Sequence, residues 1–188
     1  MKALLKRLAH AVLGDYSIYR VLQRPAGAGP APLPAQAAGF QIGLVQRAEI
    51  EACADQVLRE QAFYAGEGAR AYACRDGERI VGLCFYWYGE RYRPRGFWPL
   101  KDGQAKLVEI ITAPDMRGRK VAPALIAASS ADMAAQGFAE LFARVWHNNE
   151  PSLRAFAAAG WRPCAMVVEL NPMRRARPWR WRMMQRKV

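Results

Sequence analysis

Along the chain, stretches of alternating polarity give way to unbroken apolar runs and to residues recurring every three or four positions. Each pattern predicts a different element. Gln41 to Gln46 alternates weakly and reads as a short strand. Ala48 to Glu60 places Ile50, Cys53, Ala54 and Val57 on one side of a helix. Arg70 to Cys74 and Arg79 to Tyr88 are strand-like, and Asp76-Gly77-Glu78 between them is a hairpin signal. A loop rich in arginine and aromatics follows, Gly89 to Gly103. Lys106 to Thr112 is then a nearly unbroken apolar run around Glu109. Pro114 stops that strand, and Arg117-Gly118-Arg119-Lys120 opens a helix to about Gln136, closed by Gly137. Ala139 to Trp146 is a strand, Pro151 to Ala159 a helix ended by Gly160, and Trp161 to Leu170 a last strand. Strand, helix, three strands, helix, strand, helix, strand is an α+β order rather than a regular alternation.

Outside that core the pattern changes. Wound as a helix, the first twelve residues put Met1, Leu4, Leu5, Leu8 and Val12 on one face and Lys2, Lys6, Arg7 and His10 on the other. Pro25, Pro30, Pro32 and Pro34, set among Ala and Gly, predict a non-helical linker over 25–38. The expected organisation is a basic amphipathic segment over 1–24, a linker over 25–38, a folded domain over 39–170 and a basic Trp/Arg-rich tail over 171–188.

The net charge of +12 over 188 residues confirms that division. Residues 1–38 carry +4, residues 171–188 carry +7 with no acid, and 39–170 is nearly neutral at +1. The domain is not basic; its two ends are. Bases interleaved with Trp179, Trp181, Met183 and Met184 suit an anionic bilayer surface, where each base contributes about 1 kcal/mol. They suit phosphate backbones as well. The plain alternative is that the ends pack on their own domain or are solvated. Nucleic acid ranks last, because the domain adds no basic footprint.

Composition narrows the class. An apolar fraction of 52% with 20 aromatic residues excludes disorder of the whole chain. No apolar run approaches the roughly 20 residues of a membrane-spanning helix. Lys6 and Arg7 interrupt what would be the apolar stretch of a signal peptide, so a cytoplasmic protein is expected, with the inner face of the membrane as a second location. Cys53, Cys74, Cys84 and Cys164 have no metal-ligand spacing, and reduced, mostly buried thiols are expected, with no metal.

The chemistry concentrates between Leu107 and Trp161. A strand ending near Thr112, then a Gly-containing basic turn and a helix, presents free N–H groups at a helix N-terminus, which favours an anion such as pyrophosphate. Pro123 is tolerated in that first turn, where its missing N–H has no partner to lose. Glu109, a lone carboxylate in an apolar strand, is a candidate general base, with a strand-edge glutamate paired to an arginine as the plain reading. His147 is the second candidate, its plain reading a loop histidine with local hydrogen bonds.

Here the sequence resembles the GCN5-related N-acetyltransferase (GNAT) superfamily over residues 39–170. The family's Q/R-x-x-G-x-G/A loop is met by Arg117 at its first position and Ala122 at its last. Its N-x-x-A…Y…G-F segment is met, at the same spacing, by Asn149-Glu150-Pro151-Ser152, Phe156 and Gly160-Trp161. The resemblance implies a mixed, mostly antiparallel sheet between helices in three layers, and an acetyltransferase using acetyl-coenzyme A. It implies cofactor contacts from Ile111, Thr112, Ala113, Arg117, Gly118, Arg119, Lys120, Val121, Ala122, Asn149 and Phe156. A strand N–H near Ile111 to Ala113 would polarise the thioester carbonyl.

Two departures stand out. Lys120 occupies the usual middle glycine of the loop, and Phe156 the usual proton-donating tyrosine, which leaves Ser152 or water as acid. On the acceptor side, Tyr88, Arg91, Tyr92, Arg93, Arg95, Phe97 and Trp98 suit stacking on a sugar or base while gripping phosphate, or else a packed loop. The implied acceptor is an amine, such as an amino sugar on a nucleotide or lipid carrier in surface polysaccharide assembly. Leu13 to Arg20 loosely resembles proteins of such pathways. The alternative is a degenerate member of the fold that binds coenzyme A, or a membrane or protein partner, without turnover.

Overall fold

The computed structural model describes residues 15–25, 27–29, 31–32, 34, 37, 39–95, 97–171 and 178–184. The expected helix over the first twelve residues lies outside them. Eight strands form one sheet: β1 (Asp15–Arg24), β2 (Gln41–Leu44), β3 (Ala69–Asp76), β4 (Arg79–Trp87), β5 (Gln104–Thr112), β6 (Glu140–Trp146), β7 (Arg162–Asn171) and β8 (Trp179–Met184). Their order is β2-β3-β4-β5-β6-β1-β7-β8, antiparallel throughout except for β5 beside β6. The helices are α1 (Arg47–Glu51), α2 (Gln56–Arg59), α3 (Gly89–Tyr92), α4 (Val121–Ala135) and α5 (Glu150–Ala158), with 3-10 turns at Glu60–Tyr64, Arg93–Arg95 and Pro114–Met116.

The largest difference from the sequence reading is at the ends. Residues 15–24 do not precede the domain. They are its sixth strand in space, antiparallel to β6 from Tyr19↔Trp146 to Arg24↔Leu141 and to β7 from Asp15↔Asn171 to Gln23↔Arg162. Residues 179–184 extend the sheet beyond β7, where Arg180 meets Glu169 at 2.6 Å. Arg24 is buried; its guanidinium donates to the carbonyls of Ala159 (2.7 Å) and Gly29 (2.8 Å), fixing the end of β1 to the end of α5. The single helix expected over 48–60 is broken in two. Asp55 accepts the N–H of Val57 at 2.9 Å and so starts a new helix there.

Successive strand residues face opposite sides, which sorts the helices. On one side α4 meets Gly82, Cys84 and Tyr86 of β4; on the other, Tyr64 packs on Phe85 and Trp87. The apolar helix α4 carries Ser129, Ser130 and Asp132 inward. The Tyr86 hydroxyl lies 3.0 Å from Ser129 Oγ, Trp161 Nε1 donates to Ser130 Oγ (3.1 Å), and the Tyr72 hydroxyl donates to Asp132 Oδ2 (2.6 Å). Buried polar groups with partners fix the register of a helix that apolar contacts alone would let slide. Gly82 lets α4 come close: a Cβ there would lie 2.7 Å from Val121 Cγ1 and 3.2 Å from the Ile111 carbonyl oxygen. Cys53, Cys74 and Cys84 are buried and free, and Cys164 is free and half-buried. Burial pushes the Cys74 and Cys84 thiols up to about 12, so both pack as neutral groups.

Candidate active site

The two middle strands part. β5 and β6 pair only from Gln104↔Glu140 to Leu107↔Ala143; beyond that β5 stays with β4 as far as Thr112, while β6 stays with β1. A bulge at Val108, between Phe85↔Glu109 and Tyr86↔Leu107, coincides with the separation. The Ala113 N–H donates to Val81 O at 2.9 Å. Antiparallel alternation then turns the Ile111 N–H toward β4, and those of Ile110 and Thr112 into the gap. The Ile110 N–H meets Glu109 Oε1 at 3.1 Å, which sets that carboxylate at the edge of the opening. Glu109 Oε2 accepts from the Tyr64 hydroxyl at 3.3 Å. Of the two N–H groups that face the gap, that of Ile110 is held by Glu109 and that of Thr112 has no backbone acceptor among the described residues; Ala113 is buried and committed to the sheet, and so does not line the cleft.

On the α4 side, the gap opens into a cleft of about 920 Å³. Its walls include Ile111, Thr112, Arg117, Gly118, Lys120, Val121, Ala122, Asn149, Ser152 and Phe156, all expected from the sequence. The turn entering α4 is held by Arg79, whose guanidinium donates to Asp115 at 2.7 and 3.0 Å and keeps that carboxyl below its usual range. Among the described residues, the N–H groups of Gly118, Lys120, Val121 and Ala122 have no backbone acceptor, so the helix presents unsatisfied donors to the cleft. Lys120 has φ 63° and ψ 18°, the one left-handed non-glycine residue among those described. The chain thus keeps the conformation that a glycine would supply, at a cost of about 1 kcal/mol for an L side chain.

Asn149 caps α5 by accepting the Ser152 N–H at 3.2 Å, which leaves its amide NH₂ as the group able to meet a ligand. Phe156 is buried against Trp161 at a ring separation of 5.0 Å. The sequence reading missed Arg154, a third cation on the cleft wall. It stands just past the Asn149–Ser152 segment, and no motif marks it.

Several expected residues lie elsewhere. Arg119 is not part of the cleft wall; its guanidinium turns to Met116 Sδ (3.2 Å) and Asp76 (3.9 Å). His147 is exposed at the end of β6, with Nδ1 3.1 Å from the Ile18 carbonyl. Among the acceptor candidates, Tyr92 and Trp98 are in the core: the Tyr92 hydroxyl accepts the Trp98 N–H, and Trp98 packs on Phe142. Phe97 is buried beside them, Tyr88 packs on Phe138, and Arg93 pairs with Glu90. Arg91 is a brace, donating to the carbonyls of Phe63, Ala65 and Glu67. Arg95 lies over the rings of Trp87 (4.5 Å) and Tyr64 (5.8 Å), and among the described residues it has no ion pair.

Fold and cleft together describe an α+β protein whose split sheet opens onto a helix N-terminus. Over residues 42–161 the sequence matches the family model described as the acetyltransferase (GNAT) family, and the chain belongs to that family. Solved structures agree in fold. An acetyltransferase of the GNAT family from Colwellia psychrerythraea superimposes with a TM-score of 0.60 at 13% identity, covering 89% of this chain and 60% of that one. A GCN5-related N-acetyltransferase from Sphaerobacter thermophilus gives 0.57 at 16% identity, covering 88% and 54%. One from Kribbella flavida gives 0.53 at 15%, covering 90% and 63%. The chain thus spans less than two thirds of the length of each. No curated protein matches it.

Proposed function

We propose that this protein transfers an acetyl group from acetyl-coenzyme A to an acceptor amine. The observation that carries the reading is the parting of β5 and β6 at the N-terminus of α4. It turns the Thr112 N–H into the gap on the same cleft as the free donors of Gly118, Lys120, Val121 and Ala122, and sets Glu109, held on the Ile110 N–H, at its edge. The cleft fits coenzyme A in volume and in chemistry, with donors and the cations Arg117, Lys120 and Arg154 at one end and apolar walls from Ile111, Val121 and Phe156. Bound there, acetyl-coenzyme A supplies the activated acyl group. Lys120 and its neighbours would hold the phosphates, the Thr112 N–H would polarise the carbonyl, and Glu109 would take the proton that an ammonium must lose before it can attack. Ser152 or water returns a proton to the sulfur, since Phe156 has none to give. An amino sugar on a nucleotide or lipid carrier, as in surface polysaccharide assembly, is the first acceptor to test.

Thermal-shift titration with coenzyme A, run beside thiol release from acetyl-coenzyme A against a panel of amines, tests the proposal. The expected result is a raised Tm with coenzyme A and thiol release that requires an acceptor. A shift without release for any amine would favour the non-catalytic binder, and no shift would remove both readings.

We also place the protein in the cytoplasm at the inner face of a membrane. Support comes from β8, which exposes Trp179, Trp181 and Met183 beside the basic residues around it. Co-sedimentation with anionic vesicles and not with neutral ones is the expected result. Protein left in the supernatant with both would end this placement.

A further inference from the structure

On the face of the sheet away from α4 lies a cation that the acyl-transfer reading leaves unused. Lys106 is only 5% exposed. Its ammonium sits over the rings of Tyr92 (5.7 Å) and Phe97 (5.4 Å), and among the described residues no carboxylate pairs with it. Two more cations share its surroundings. Arg144 lies over Tyr19 and Phe97, both at 4.6 Å, and Arg95 lies over Trp87 and Tyr64. Neither forms an ion pair among the described residues. Arg180 also reaches the Phe97 ring, but Glu169 neutralises it.

A buried ammonium without a counter-ion costs stability, and an apolar residue of the same size would serve the core better. Burial first, then Arg144 and Arg95, bring Lys106 down to about 7. Rings lie against the two guanidinium groups, and among the described residues no carboxylate takes up their N–H groups, an arrangement suited to a planar or tetrahedral oxyanion.

The cluster flanks the opening in the sheet. Lys106 pairs with Phe142 one step before the strands part, and Arg144 is the first residue of β6 past the last pair. Lys106 and Glu109 share a face because of the bulge between them, and Arg95 covers the tyrosine that donates to Glu109.

We propose that Lys106, Arg144 and Arg95 form a subsite for a phosphate or carboxylate carried by the acceptor, so that the acceptor class is an amine bearing a negative charge. The proposal rests on the acyl-transfer reading for the acceptor's position, and on the unpaired cations for its charge. Calorimetric titration at saturating coenzyme A and fixed ionic strength tests it with glucosamine, glucosamine 6-phosphate and glucosaminic acid. One or both charged amines are expected to bind at least about tenfold more tightly than glucosamine, the better one naming the anion. Lys106→Met and, at an exposed position, Arg144→Gln are each expected to remove most of that preference while coenzyme A affinity stays within about twofold. Lys106→Met should also raise the ligand-free Tm, since it removes a buried charge. Equal affinity for all three amines, or a preference retained in both variants, would overturn the proposal. Loss of coenzyme A binding by the unaltered protein would instead strike the acyl-transfer reading.

Discussion

Glu109→Gln is expected to slow acceptor-dependent thiol release by about 10²-fold or more, with coenzyme A affinity within about twofold of the unaltered protein. Glutamine keeps the size of the side chain and its one amide oxygen can accept either the Tyr64 hydroxyl or the Ile110 N–H, while the bulge and the opening rest on backbone pairing and should not change. What it loses is the capacity to take a proton from an ammonium. Steady-state kinetics with the best acceptor, alongside calorimetry with coenzyme A, separates the two quantities. A rate within about threefold of normal would pass the proton to water or to another group, and would leave Glu109 as a hydrogen-bond anchor at the edge of the gap.

Gly82→Val is expected to destabilise the fold by about 3 kcal/mol and to weaken coenzyme A binding at the same time. A Cβ at this position already falls 2.7 Å from Val121 Cγ1 and 3.2 Å from a backbone oxygen, and valine adds two methyl groups. The carbonyl belongs to β5 and cannot yield, so α4 must move. Val121 is the first residue of that helix and part of the cleft wall, and displacement there disturbs the donors of Gly118, Lys120, Val121 and Ala122. Calorimetric unfolding should show Tm lower by roughly 10 °C. A Tm within about 2 °C of normal would mean that the helix shifts without cost.

Most of 39–170 was legible in the sequence because its signals are local. The hairpin around Gly77, the stop at Pro114 and the helix ends at Gly137 and Gly160 each act within a few residues. The cleft wall was legible for the same reason, since the strand end, turn and helix start are contiguous. Lys120 is instructive: as a sequence it departs from the family's glycine, yet its backbone adopts the left-handed conformation. What stayed hidden depends on distant partners. Nothing within 15–24 shows that its neighbours are β6 and β7, and the amphipathic start and proline-rich stretch around it suggested an appendage. Lys106 reads as the polar edge of an apolar strand; its burial comes from Tyr92 and Phe97 folding over it. The seats of Tyr92, Trp98 and Arg91 followed the same logic, because an arginine among aromatics binds a ligand or braces a loop according to what closes over it.

The placement of β1 has a consequence for how the chain is made. This strand leaves the ribosome before every other strand of the sheet, but its pairing edges belong to residues 140–146 and 162–171, more than a hundred positions later. Until then β1 has no partner, and after β6 has taken one of its edges the other stays open until β7 is made. The half of the sheet from β6 to β8 therefore closes late, through contacts of high sequence separation that are slow to form. While residues 25–140 are made the nascent protein carries a hydrophobic strand in search of its slot, the kind of exposed edge on which chaperones act and from which aggregation starts.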